Sequence, residues 1–274
     1  MMKKIVQIFP HEHDEAFLRG WRRWSDQLIE LDSWDKINPE IPLVIPANLV
    51  DKNHREWLKL RRPSFVINRQ LTGGWKEKHR SMFRVAVNSY AATRIGHISH
   101  SRFPILNIEK HPWKVRKIRN VLIAPPLKSI CFWTGMTAME WAENIKTKLE
   151  SEGGNIRIRE KQRKRWTRYT TLWEDFDWAD LVVSYSSGIT AEALWYGKQA
   201  ISLGVCPTWV ASDNTLDNWR NATEPTNRDI YHEHLAWIQF KFDEWESGVA
   251  QELTVAYQGW PTEVQVPDNP IVTD

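Results

Sequence analysis

The stretch Asp180–Gly204, DLVVSYSSGITAEALWYGKQAISLG, decides the fold, because it spells strand, small-residue bend, short helix, glycine turn and second strand without interruption. Leu181–Val183 is an apolar, β-branched run of the kind buried on both faces of a parallel sheet. Ser184–Gly188 leaves it through small residues, so a helix over Gly188–Tyr196 begins with free backbone N–H groups and a positive dipole end. Such an end accepts phosphate, and a diphosphate fits there. Glu192 follows Gly188 by four residues and shares its face, where a carboxylate can accept hydrogen bonds from ribose or sugar hydroxyls. Gly197 ends the helix as a C′ residue, and Ala200–Leu203 returns as a strand. The candidate cradle is therefore Ser186, Ser187, Gly188, Ile189 and Thr190, with Glu192 as the hydroxyl acceptor. A plain βα turn needs the same small residues for close packing, without any ligand.

Working outward, Val121–Pro126 (VLIAPP) reads as a strand, Thr137–Glu150 as a helix and Ile156–Lys161 (IRIREK) as another strand. Arg157, Arg159 and Lys161 alternate, so a period of two puts the three cations on one face. Cations on one face need an anion. The run Arg157–Arg168 holds seven Lys/Arg against one Glu, which suits a donor diphosphate or a DNA phosphate gripped by arginine, or else a solvated basic loop.

The N-terminal part also alternates β and α. Lys4–Phe9 reads as a buried strand, and the loop His11-Glu12-His13-Asp14 leads into a helix to about Leu31, with Phe17, Trp21, Trp24, Leu28 and Leu31 as its apolar stripe. Strands follow at Pro42–Ile45 and Ser64–Ile67, with a helix near His54–Leu60 and a longer one over Lys76–Arg94. This pattern implies a doubly wound parallel sheet with functional loops at strand C-termini. A polar segment, Glu109–Asn120, then marks a linker, and an aromatic-rich helix is expected over Asp229–Ser247. The predicted organisation is an N-terminal Rossmann-like domain (1–110), a linker (111–119), a second Rossmann-like domain (120–215), and a C-terminal helix and tail packing across both (216–274). The fold class is α/β, two Rossmann-like parallel-sheet domains facing each other across a cleft.

The run S-S-G-I-T-A-E-A-L-W-Y-G-K resembles the nucleotide-sugar-binding turn of GT-B glycosyltransferases, especially the capsular-polysaccharide type and related small phage-encoded proteins. The flanking VLIAPP and IRIREK strands are similar to the βαβ opening of that domain, and Tyr231–Val249 (YHEHLAWIQFKFDEWESGV) resembles the closing helix of the phage proteins. The resemblance covers residues 120–250. It implies a nucleotide-sugar donor, UDP-sugar foremost, with no metal required. The catalytic base would come from the opposing domain, and Asp14 or His13 is the candidate for taking the acceptor proton in an inverting transfer. In a retaining transfer the same loop only positions the acceptor, and Asp14 alternatively caps the helix. His111 and Trp113 could touch the donor base or sugar, or serve as a hinge.

Composition bounds the rest. The 274 residues are 42% hydrophobic and 26% charged, an ordinary globular balance. Two distant cysteines give no disulfide framework or Cys-based zinc site. The triplet His232-Glu233-His234 falls in a predicted helix, where i and i+2 diverge by ~200°, against a shared metal. No apolar run reaches a membrane span, and MMKKIVQIF enters a strand rather than a signal peptide, so no membrane partner and a cytoplasmic protein are expected, in the host cytoplasm if phage-encoded. Seventeen tryptophans suit core packing, or stacking on bases and sugars where exposed. Residues 1–119 hold 23 Lys+Arg against 12 Asp+Glu, whereas residues 120–274 hold 14 against 22. A basic half suits a polyanion. With the phage resemblance, this points to a hydroxymethylated pyrimidine of double-stranded DNA as acceptor, flipped from the stack. The rival readings are a capsular or other glycan transferase, a nucleotide-sugar epimerase, and a non-catalytic nucleic-acid-binding protein.

Overall fold

The computed structural model describes residues 3–10, 15–46, 52–60, 62–69, 82–89, 91–106, 108–115, 117–127, 130–159 and 171–261. Two compact units emerge: Met1–Asn107 with Glu233–Asn269, and Ile108–His232 with Pro270–Asp274.

The first unit opens with β1 (Ile5–Ile8), α1 (Glu15–Trp24), β2 (Gln27–Glu30), β3 (Leu43–Pro46), α2 (Lys52–Lys59), β4 (Ser64–Arg69) and β5 (Met82–Val87). The second contains β6 (Asn120–Ala124), α3 (Cys131–Thr134), α4 (Ala138–Ser151), β7 (Asn155–Ile158), α5 (Leu172–Trp178), β8 (Leu181–Ser184), α6 (Gly188–Trp195) and β9 (Gln199–Ser202). The division falls within α7 (Arg228–Trp237), after which β10 (Gln239–Lys241), α8 (Phe242–Ser247) and α9 (Val249–Gln258) belong to the first unit.

The second unit is a four-stranded sheet in the order β7-β6-β8-β9, parallel throughout. Val121, Leu122, Ile123, Leu181, Val182 and Val183 are wholly buried, as strands covered on both faces require. Helices α4 and α5 start on capping boxes legible as T-x-x-E. Thr137 accepts from the Glu140 N–H while Glu140 accepts from Thr137, and Thr171 and Glu174 do the same. Each unit is Rossmann-like, its parallel strands separated by helical crossovers.

The first unit's sheet runs β10-β5-β4-β3-β1-β2. Strands β2, β1, β3 and β4 are parallel, and β5 and β10 extend the sheet antiparallel. Its core joins Val6, Ile8, Phe17, Trp21, Val44, Phe65, Phe240 and Trp245. Helix α1 lies close against α8 because position 20 has no side chain: a Cβ on Gly20 would sit 1.8 Å from the Trp245 carbonyl oxygen. Trp21, Trp219, Trp237 and Trp245 are among the largest fully buried side chains, so these tryptophans are packing residues. Trp173, by contrast, is 47% exposed.

Three expected helices are corrected. The first helix stops at Trp24, where Ser25 donates to the Trp21 carbonyl at 2.7 Å and Asp26 accepts from the Lys4 N–H at 2.7 Å. Gln27–Glu30 then pairs parallel with β1, so Leu28 and Leu31 leave the stripe. Apolar spacing in this short segment fits both helix and strand, and sheet pairing decides it. Residues 82–87 of the expected Lys76–Arg94 helix form β5 instead, consistent with the run FRVAV. The single helix over Asp229–Ser247 is interrupted by β10, whose Phe240 is wholly buried, and a further helix, α9, follows.

Charge is redistributed by this connectivity. Residues 1–107 with 233–269 carry 19 Lys+Arg against 18 Asp+Glu, and the second unit carries 18 against 16. The returning C-terminal segment supplies the balance through Lys4–Glu252 at 2.7 Å, Arg19–Glu246 at 3.0 Å and Arg102–Glu244 at 2.8 Å. The basic half seen along the sequence is therefore no basic body in space.

Candidate functional site

In the second sheet, β6 is flanked by β7 on one side and β8 on the other, with Ala124 opposite Ser184 at the strand ends. The chain runs from β6 to β7 and then crosses back to β8. The switch point therefore lies between β6 and β8, and open α/β sheets bind ligands outside the strand C-termini there. The bend Tyr185–Ser187 and the segment after Ala124 are its two walls.

The bend is built from its own hydrogen bonds. Ser186 Oγ donates to the Val205 carbonyl at 2.6 Å, tying it to the turn after β9. Ser187 is the N-cap of α6, and its Oγ accepts from the Ile189 N–H at 3.4 Å. Thr190 Oγ1 donates to the Ser187 carbonyl at 2.8 Å. The hydroxyls of Ser186 and Thr190 are thus spent on the fold, the Ile189 N–H on Ser187 Oγ and the Thr190 N–H on the Ser187 carbonyl at 3.2 Å, so the Gly188 N–H and the Ser187 hydroxyl proton are what the first turn offers a ligand. Ser186, Ser187, Gly188 and Ile189 are half-buried and Thr190 is buried.

Below the bend, Ser184 Oγ is wholly buried and has no hydrogen-bond partner among the described residues. Tyr185 packs edge-on to Trp141 of α4, their ring centroids 6.2 Å apart, and burial pushes its phenol up to about 12. This pair joins the two sides of the switch point. The sequence reading missed both residues; the aromatic at Trp141, four residues past the Thr137 cap, was the available signal.

Glu192 is only 9% exposed. It sits near Tyr231, whose phenol is held well above its ordinary range by burial first, then by Cys206 and Glu192. Thr190 Oγ1 lies 3.8 Å from Cys206 Sγ. The inner side of α6 is therefore a buried polar cluster.

Arg157 and Arg159 share one face, as their spacing requires, and both reach Asp175 of α5. Arg157 Nη1 donates to Asp175 Oδ1 at 2.9 Å, and Arg159 forms an ion pair with the same carboxylate. The Asp175 side chain is 1% exposed. Arg157 also lies over the Trp178 ring at 4.1 Å. Asp175 thus supplies an anion to both cations. Lys161 and the run to Arg168 lie outside the described residues, as do His11, Glu12, His13 and Asp14.

His111 and Trp113 stand at the other end of α6. His111 packs on Tyr196 at 4.7 Å, and Trp113 Nε1 donates to the Ala222 carbonyl at 2.9 Å. Buried His234 is held between Tyr257 Oη at 2.7 Å and the Ala92 carbonyl at 3.0 Å. No group of three His, Cys, Asp or Glu among the described residues is placed to hold a metal ion, and no helix there is long and apolar enough to cross a membrane.

Fold and site define a class: a two-unit Rossmann-like α/β protein whose second sheet presents a helix N-terminus at its switch point. Two solved structures from Thermosulfurimonas dismutans are similar to the chain over most of its length. One is the KpsC beta Kdo 2,7 transferase, at 10% identity and TM-score 0.48, covering 91% of this chain and 99% of that one. Another is the KpsC beta Kdo 2,4 transferase, at 11% identity and TM-score 0.45, covering 93% and 99%. Likeness at these scores carries no functional assignment. No protein-family model matches the sequence, and no curated protein matches it.

Proposed function

We propose that the protein is a nucleotide-sugar-dependent glycosyltransferase whose donor diphosphate sits on Ser186–Thr190. The observation that carries this reading is the N-terminus of α6 at the switch point between β6 and β8. Charge developing on a departing diphosphate would meet the positive end of α6, with the Gly188 N–H and the Ser187 hydroxyl as donors, which stabilises such a transition state without reorganisation. Arg157 on β7 and Arg159 just after it are assigned to the same diphosphate, and Glu192 to a donor hydroxyl. For an inverting transfer, Asp14 or His13 takes the acceptor proton. UDP-sugar is the proposed donor.

The acceptor is a hydroxyl compound. The near balance of charge in both units favours a glycan hydroxyl over a base in DNA, because counterion release needs a cationic surface. Incubation with a panel of nucleotide sugars, with hydroxymethylated DNA in one arm and oligosaccharides in another, tests both. Release of nucleoside diphosphate with a matching gain in acceptor mass supports transfer. A sugar isomer formed without acceptor points to an epimerase, and salt-sensitive DNA binding without turnover points to a binding protein.

A further inference from the structure

Helix α6 is two turns long, too short to stand alone, and is placed by its buried residues Thr190–Leu194 together with what holds its ends. Its N-terminal end is held by local bonds: the 3.4 Å cap from Ser187, the Thr190 hydroxyl and N–H on the Ser187 carbonyl at 2.8 and 3.2 Å, and Ser186 Oγ on the Val205 carbonyl at 2.6 Å. Its C-terminal end is stitched in full. Lys198 N–H donates to the Ala193 carbonyl at 2.9 Å and Gly197 N–H to Leu194 at 3.3 Å, a Schellman motif that needs the left-handed φ of +83° at Gly197. The Pro112 carbonyl comes within 2.1 Å of where a Cβ on Gly197 would stand, and His111 N–H donates to the Trp195 carbonyl at 3.2 Å.

Into this junction projects Arg228, 1% exposed. Its Nε donates to the Leu194 carbonyl at 2.8 Å, and Nη2 to the Trp195 carbonyl at 3.2 Å and to the His111 carbonyl. Nη1 donates to Glu224 at 2.5 Å, and the guanidinium lies 5.5 Å from the Trp113 ring. A buried cation thus sits on the negative pole of the helix whose positive pole is the proposed diphosphate cradle, ~12 Å away along eight residues.

We propose that Arg228 is a positioning residue for the anion site: it fixes the axis of α6 from behind and neutralises its carbonyl end, so that the Gly188 N–H and the helix's positive end point at the ligand. The inference rests on the diphosphate reading above. Lysine would not replace it, since one ammonium cannot span three carbonyls from two segments in a fixed plane.

The test is calorimetric titration of the full chain with inorganic pyrophosphate and, separately, with uridine, for wild type, Arg228→Lys and Arg228→Met. Each titration is run well below the variant's own melting temperature. The expected result is a loss of pyrophosphate affinity of roughly tenfold for Arg228→Met and about threefold for Arg228→Lys, with uridine affinity unmoved. A general loosening of the fold would move both ligands together, and that outcome overturns the proposal. Wild-type binding of pyrophosphate with unchanged affinity in a folded Arg228→Lys protein also overturns it, while leaving the diphosphate site intact. Should Arg228→Met not fold, the Arg228→Lys comparison decides. Absence of pyrophosphate binding by the wild type overturns the site and this inference together.

Discussion

Arg157 donates a hydrogen bond of 2.9 Å to Asp175, from the guanidinium Nη1 on β7 to the carboxylate Oδ1 on α5. That bond, with the second ion pair from Arg159, converts a basic stripe of sequence into an internal brace. Removing one member of a buried charge pair leaves the others uncompensated. Asp175→Asn is therefore expected to lower unfolding stability by about 3 kcal/mol, read from the urea midpoint. Arg157→Ala should cost less, since its side chain is 38% exposed. A change below about 0.5 kcal/mol for Asp175→Asn, the size of an ordinary surface substitution, contradicts the brace.

Gly20→Ala tests the close approach of α1 and α8. The added Cβ would fall 1.8 Å from the Trp245 carbonyl oxygen, a backbone atom that cannot swing aside. Although alanine favours helix more than glycine does, overpacking dominates, and a loss of about 1–3 kcal/mol is expected. A neutral or stabilising result in thermal unfolding would show that the helices are further apart.

Two histidines of α7 set a pH dependence. Burial is the main cause that lowers both His232 and His234 to about 4 from 6.5. The unfolded chain therefore binds more protons than the folded one between these values, so stability is complete above about pH 6.5 and falls as the pH drops toward 4. For His234, the Ala92 carbonyl requires the proton on Nε2, leaving Nδ1 to accept from Tyr257 Oη. The loss is expected to be of order 3 kcal/mol per histidine at its full extent. Denaturant midpoints at pH 7, 5.5 and 4 measure it, and a His234→Gln variant should show a flatter profile. An unchanged slope in that variant would exclude His234 as a source.

The second sheet was legible because its signals are local. Val121–Ala124 and Leu181–Val183 are continuous apolar runs, Thr137 opens a helix and Gly197 ends one, each within a few residues, whereas α5 behind its Thr171 capping box was not among the expected helices. The first sheet was legible only in part, since the strand identities of Gln27–Glu30, Met82–Val87 and Gln239–Lys241 come from partners far away in sequence. Charge misled for the same reason: Glu244, Glu246 and Glu252 answer Arg102, Arg19 and Lys4 across more than a hundred residues. Within the candidate site, spacing put Arg157 and Arg159 on one face, but nothing local identified Asp175 as their partner. Nor did it mark Arg228, which reads as an ordinary surface arginine on a helix and is wholly enclosed.

The most direct measurement is calorimetric titration of the wild-type chain with uridine, guanosine, cytidine and thymidine diphosphates, with inorganic pyrophosphate as competitor. The account predicts saturable heat with at least one nucleoside diphosphate, displaced by pyrophosphate and weakened in Ser187→Ala, which removes the N-cap hydroxyl of α6. No heat with any of the four, from protein shown to be folded, would contradict a diphosphate site at this bend.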